Sequence, residues 1–163
     1  MGTQTPRWLQ TIDDRLIGFV QRNSVLWLRI ALGVVFLWFG ALKLFGVSPV
    51  ADLVARTLPF LPSDVAVRGI GALEVLIAFG LVTGWAIRVT MFLFFAQMAG
   101  TFLILVLEPS LSFQHGNPLL LTVMGEFVVK NLVLVTAGFV VAGQIAPARA
   151  RGDIASMLSD RLD

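Results

Sequence analysis

Four long stretches almost free of charge, 25–46, 64–84, 89–107 and 118–143, constrain this chain more than any other feature. A helix crosses a hydrocarbon layer of about 30 Å with about 20 apolar residues, so each stretch is long enough to span. Backbone groups in lipid have no water to bond, which leaves only helices and closed barrels. These runs are continuous rather than alternating, and that chooses the helix. Composition agrees: 57% of residues are hydrophobic and 13% charged, with a mean hydropathy of +0.88. Soluble domains carry about 25% charge. The predicted fold class is therefore all-α, a polytopic membrane protein built as a four-transmembrane-helix bundle.

Around the spans the sequence predicts three regions. Residues 1–24 read as an amphipathic interfacial helix, 25–145 as the bundle, and 146–163 as a cytoplasmic tail with a short helix capped by Asp153. In the first region Thr5 and Pro6 suit a helix start. Trp8, Leu9, Ile12, Leu16, Phe19 and Val20 share one face, and Arg7, Asp13, Asp14, Arg15, Gln21 and Arg22 the other. Such a helix lies in the membrane interface. Between the first two spans, Ser48 and Pro49 predict a short helix over 50–58, with Leu53, Val54 and Leu58 on the membrane. Pro59 and Pro62 break it, and Ser63 or Asp64 caps the second span. Arg7, Arg15, Arg22, Arg29, Arg88, Arg149, Arg151 and Arg161 fall on one side if both termini do. The positive-inside rule makes that side cytoplasmic, with both termini inside. No cleavable signal is expected, because the first apolar run is too long and lacks a small-residue cleavage site.

Residue types exclude several chemistries. The chain has no cysteine, hence no disulfide, thiol relay, thiolate zinc site or iron–sulfur cluster of its own. A single histidine, His115, makes neither a metal site nor a bis-histidine haem within one chain. The net charge of +2 gives nucleic-acid binding no support.

What remains is a set of polar residues inside the apolar runs. Glu74 lies ten residues after Asp64 and Lys130 twelve after Pro118, which places both near the membrane midplane. Glu126 and Arg68 sit further out, and Lys43 ends the first span on the same side. The predicted intramembrane cluster is Lys43, Arg68, Glu74, Gln97, Glu126, Lys130 and Asn131, opening outward with residues 50–60 as a candidate lid. Buried charges in a bilayer are costly and mark either a functional site or the contacts that lock a bundle. Glu126 and Lys130 are also spaced to pair with each other on one helix. Either the network is structural, or it also binds a small amphipathic molecule such as a quinone; no covalent cofactor and no catalytic residue is assigned. Gly80 with Gly84, and Ala96 with Gly100, permit close helix approach and offer faces for a homo-oligomer.

The run Leu28-Arg29-Ile30, Phe36 to Lys43, Leu73-Glu74-Val75, Thr101-Phe102-Leu103 with Glu108-Pro109, and Gly125-Glu126 with Lys130-Asn131 resembles the DoxX superfamily. Within it the likeness is to membrane proteins of the reactive-chlorine-resistance (YkgB/RclC) type, over roughly residues 25–143. The resemblance implies a four-helix membrane bundle linked to redox defence. DoxX relatives serve as a membrane subunit of thiosulfate:quinone oxidoreductase and as a scaffold joining soluble antioxidant enzymes. It carries over Arg29, Lys43, Glu74, Glu108, Lys130 and Asn131. The expected function is thus a membrane subunit or scaffold of an oxidative-stress or quinone-linked oxidoreductase system, not catalytic alone. With quinone bound, Glu74 or Glu126 would exchange protons and Lys130 would meet the carbonyl. The alternative is a small-solute transporter or channel formed by an oligomer.

Overall fold

The computed structural model describes residues 7–57 and 61–145. Six α-helices follow in order: α1 (Arg7–Leu44), α2 (Ala51–Thr57), α3 (Ser63–Thr83), α4 (Ile87–Leu107), α5 (Pro109–Ser112) and α6 (Val123–Gly143). Four of them, α1, α3, α4 and α6, are long and apolar enough to cross a membrane. They run up, down, up and down, and each packs on two neighbours: α1 on α3 and α6, α4 on α3 and α6. One end of the bundle holds the start of α1, the α3–α4 turn and the end of α6, here called the terminal end. The opposite end carries α2, α5 and the longer connections.

The expected interfacial helix and first span form one continuous helix of 38 residues. At 1.5 Å per residue it is about 57 Å long, well beyond a hydrocarbon layer of about 30 Å. Neither proline nor glycine separates the two predicted segments. Asn23 also fits the helix, its amide donating back one turn to the Phe19 carbonyl at 2.8 Å. At its other end α1 stops on Gly46 (φ 72°), with Val47 N–H bonded to Leu42 O and Gly46 N–H to Lys43 O. That is the Schellman arrangement, and it leaves Lys43 in the last turn, where a cation meets the negative end of the helix dipole.

Two other boundaries differ from expectation. Pro62 is the N-cap of α3 and no side chain caps it, so Ser63 is already helical. The fourth span starts at Val123 rather than at Pro118. Asn117 turns the chain by accepting the Leu119 N–H at 3.0 Å, and Phe113 bridges to Leu121. Thr122 then caps α6 by accepting the Gly125 N–H at 3.1 Å. The tail helix predicted after Pro147 lies outside the described residues.

The core is Leu32 and Phe36 from α1, Ile77, Ala78 and Leu81 from α3, Met91, Phe94 and Met98 from α4, and Val141 from α6. Phe94 is its centre, with its ring 5.1 Å from that of Phe36 and close against Gly138 of α6. Large apolar side chains also cover the outside, Phe92 at 72% exposure and Val133 at 70%. An exterior of that kind suits lipid, not water.

Candidate ligand-binding site

The site is made by the crossing of α1 and α3. Gly40 faces Gly71 so closely that a Cβ on Gly71 would lie 2.9 Å from the Gly40 carbonyl oxygen, and one on Gly40 2.8 Å from that of Gly71. Each glycine sits three residues before a charged residue, Lys43 on α1 and Glu74 on α3. At i+3 the two charged side chains leave the same helix faces as the glycines and meet across the contact. Lys43 Nζ lies 2.6 Å from Glu74 Oε2 and 2.8 Å from Oε1, and both side chains are at least nine-tenths buried. From α4, the Gln97 amide donates to Glu74 Oε1 over a long 3.4 Å. The Phe39 ring lies 6.0 Å from the ammonium and edge-on to Phe127 of α6.

Beside the pair is a cavity of about 80 Å³. Lys43, Glu74, Gln97, Thr101 and Asn131 supply its polar lining; Phe36, Phe39, Ile70, Met98, Ile104, Phe127, Val128 and Leu134 supply the apolar lining. Val50, Leu53 and Val54 close it from the end opposite the termini. Leu53 and Val54 were expected on the membrane. Instead Leu53 is buried, because α2 packs against α3. A second cleft of about 220 Å³ reaches Lys43 from outside, lined by Asp52, Ser63, Asp64 and Arg68.

The structure thus joins four of the seven predicted residues at one cavity: Lys43, Glu74, Gln97 and Asn131. Arg68 is exposed and stands in the outer cleft rather than beside Glu74. Glu126 and Lys130 do not join either. They pair with each other at 3.6 Å, with their side chains 55% and 76% exposed. Rotation of α6 explains it. Val128 points into the bundle at 2% exposure, and two residues to either side is about 200° around the helix. The later start of α6 at Val123 also moves Glu126 into its first turn and Lys130 into its second, short of the midplane counted from Pro118, and the direction of projection was not readable at all. The close-approach glycines also act within the chain: Gly80 meets Thr90 of α4, and Gly84 meets the Arg29 guanidinium. Gly100 by contrast faces open space. Phe39, Thr101 and the inward side of α2 were missed. Only the matched spacing of Gly40–Lys43 and Gly71–Glu74 signalled which faces converge.

Compared with known proteins, residues 24–107 match the DoxX family, more than half of the 163 residues. The chain belongs to the DoxX family. No curated protein and no solved structure matches it. In this DoxX-family chain the matched region holds Lys43, Glu74 and Gln97, whereas Asn131 and the outward Glu126–Lys130 pair lie beyond it. Among the described residues no group of three or more His, Asp or Glu could hold a metal ion.

Proposed function

We propose that this multi-pass DoxX-family protein is a binding and scaffold subunit of a bacterial inner-membrane oxidoreductase system, of the reactive-chlorine-resistance type. Its cavity takes the head group of a small amphipathic molecule such as a quinone. The observation that carries the reading is the buried Lys43–Glu74 pair opening onto a part-polar cavity inside an otherwise apolar bundle. A pair needed only to lock two helices has no need of a cavity beside it, nor of Gln97 and Asn131 turned toward the same space.

Size sets a condition. About 80 Å³ holds two or three waters at about 30 Å³ each, and is about half of a 150 Å³ cavity that admits a benzene ring. A ring-sized head group enters only if α2 moves outward, and Val50, Leu53 and Val54 are the side chains it displaces. Lys43, with a third proton beyond the two directed at Glu74, and Gln97 then donate to a carbonyl oxygen. Glu74 is the proton-exchanging group, reached through the outer cleft past Arg68. With no cysteine, no tyrosine and one histidine in the chain, the redox chemistry is assigned to a partner. The outward Glu126–Lys130 pair supports such a partner or a further copy, since charges on a lipid-facing flank gain from being covered. The four continuous spans lack the broken helices typical of secondary transporters, which favours this reading over solute transport.

Equilibrium binding of a short-tailed quinone to the reconstituted protein tests the proposal. The wild type and Lys130→Ala bind saturably with equal affinity, and the double variant Lys43→Met with Glu74→Gln does not. Unchanged affinity in the double variant removes the cavity from the account.

A further inference from the structure

At the terminal end, opposite the Lys43–Glu74 cavity, Arg29 of α1 presents a different problem. Its guanidinium Nε is buried and has no hydrogen-bond partner. Among the described residues no carboxylate pairs with it; Glu74 and Glu126 are held by Lys43 and Lys130 toward the opposite end of the bundle. Arginine cannot shed its charge, and a buried donor on a cation is expensive to leave unmade. In a membrane protein that cost is higher still.

The guanidinium borders a cleft of about 300 Å³ between three elements. Val25 and Leu26 line it from α1, Ile87 from the first turn of α4, and Val141, Gln144 and Ile145 from the end of α6. Gly84 shapes the back of the site. Its φ of 74° turns the chain between α3 and α4, and a Cβ there would stand 2.9 Å from Arg29 Nη1. The first turn of α4 borders the same region through Ile87, and its N-cap is Ala86, which makes no side-chain cap. Trp27 and Trp85 are exposed at this level, 61% and 68%, as expected of residues at a membrane–water boundary.

The cleft therefore joins one obligate cation, one amide side chain and a helix start to walls that are otherwise aliphatic. An inorganic anion would use the first three and leave the walls dry and unfilled. A phosphate that carries acyl chains uses both. We propose that this cleft binds the phosphate of an anionic phospholipid from the leaflet at the terminal end, with the oxyanion on Arg29 and Gln144 and the glycerol–acyl region along Val25, Leu26 and Ile145. The site does not depend on what occupies the Lys43–Glu74 cavity.

Native mass spectrometry on the full chain released from nanodiscs tests this, comparing phosphatidylglycerol with phosphatidylcholine at equal mole fraction. The wild type retains one phosphatidylglycerol in preference to phosphatidylcholine. Arg29→Gln weakens that retention about tenfold or more, the weight of a charge-assisted hydrogen bond. Leu26→Trp, which fills the cleft and leaves the charge, weakens it as well and guards against misfolding of the Arg29 variant. Arg22→Gln, an exposed arginine on the same helix, leaves it unchanged. Displacement of the lipid by millimolar inorganic phosphate identifies free phosphate as the ligand and overturns the lipid assignment. Equal retention of the two lipids, or an unaltered preference in both Arg29→Gln and Leu26→Trp, overturns the site itself.

Discussion

Replacing Lys43 by methionine probes the bundle where its architecture and its proposed function coincide. The substitution keeps the length and the apolar stem and removes only the ammonium. At 2.6 Å, with an effective dielectric of about 20, the Lys43–Glu74 attraction is about 6 kcal/mol before desolvation is counted. Removing one partner of such a buried pair costs about 3–5 kcal/mol, because the other charge is left uncompensated. Glu74 would keep only the long 3.4 Å bond from Gln97, which is too weak to replace two short ones. The double variant Lys43→Met with Glu74→Gln removes both charges, so its stability returns to within about 1–2 kcal/mol of the wild type. The assay is reversible unfolding in mixed micelles followed by tryptophan fluorescence, run as a double-mutant cycle. Single variants that each lose less than about 1 kcal/mol, and that add in the double, would refute a buried and mutually dependent pair.

Other consequences follow from the same geometry. Gly71→Val drives a side chain into the Gly40 carbonyl and separates α1 from α3; it costs more than about 2 kcal/mol in the same unfolding assay, whereas Gly69→Val, facing open space, costs little. Glu126→Gln and Lys130→Gln each change stability by less than about 0.5 kcal/mol in detergent, because the pair is exposed and 3.6 Å apart; the unfolding midpoint checks this. The chain has no cysteine, so Thr101→Cys gives a single reporter inside the cavity. It reacts slowly with a water-soluble maleimide in the wild type and several-fold faster when Leu53→Ala loosens α2, as stopped labelling time courses read out.

The number and approximate extent of the spans were legible because lipid allows only one reading of long uncharged runs. The continuity of α1 was not, since Asn23 and Ser24 look like a boundary by residue type yet tolerate a helix that tertiary packing favours. Counting residues put Glu74 and Lys130 near the midplane, Glu126 a turn further out and Lys43 at the end of its span on that side. But α6 begins at Val123 rather than Pro118, so Glu126 stands in its first turn and Lys130 in its second. Azimuth requires knowing which neighbour each helix packs on. For α3 the clue was present in Gly71, three residues before Glu74; for α6 the inward face is set by Val128, Gly138 and Val141, which differ little from the apolar residues around them. A charged residue inside an apolar run therefore locates a polar group along the normal without showing whether it points at the bundle or at lipid. The role of α2 was partly visible as a lid, but its packing against α3 and the burial of Leu53 had no signal in the residue pattern.

Photolabelling with an azido-quinone in native membranes, followed by peptide mapping, tests the central claim most directly. The account predicts label on the side chains around Lys43, namely Phe39, Leu53 and Thr101, and its loss when Lys43 and Glu74 are both neutralised. Label confined to outward residues such as Trp38 or Phe92, and insensitive to that double change, would contradict it.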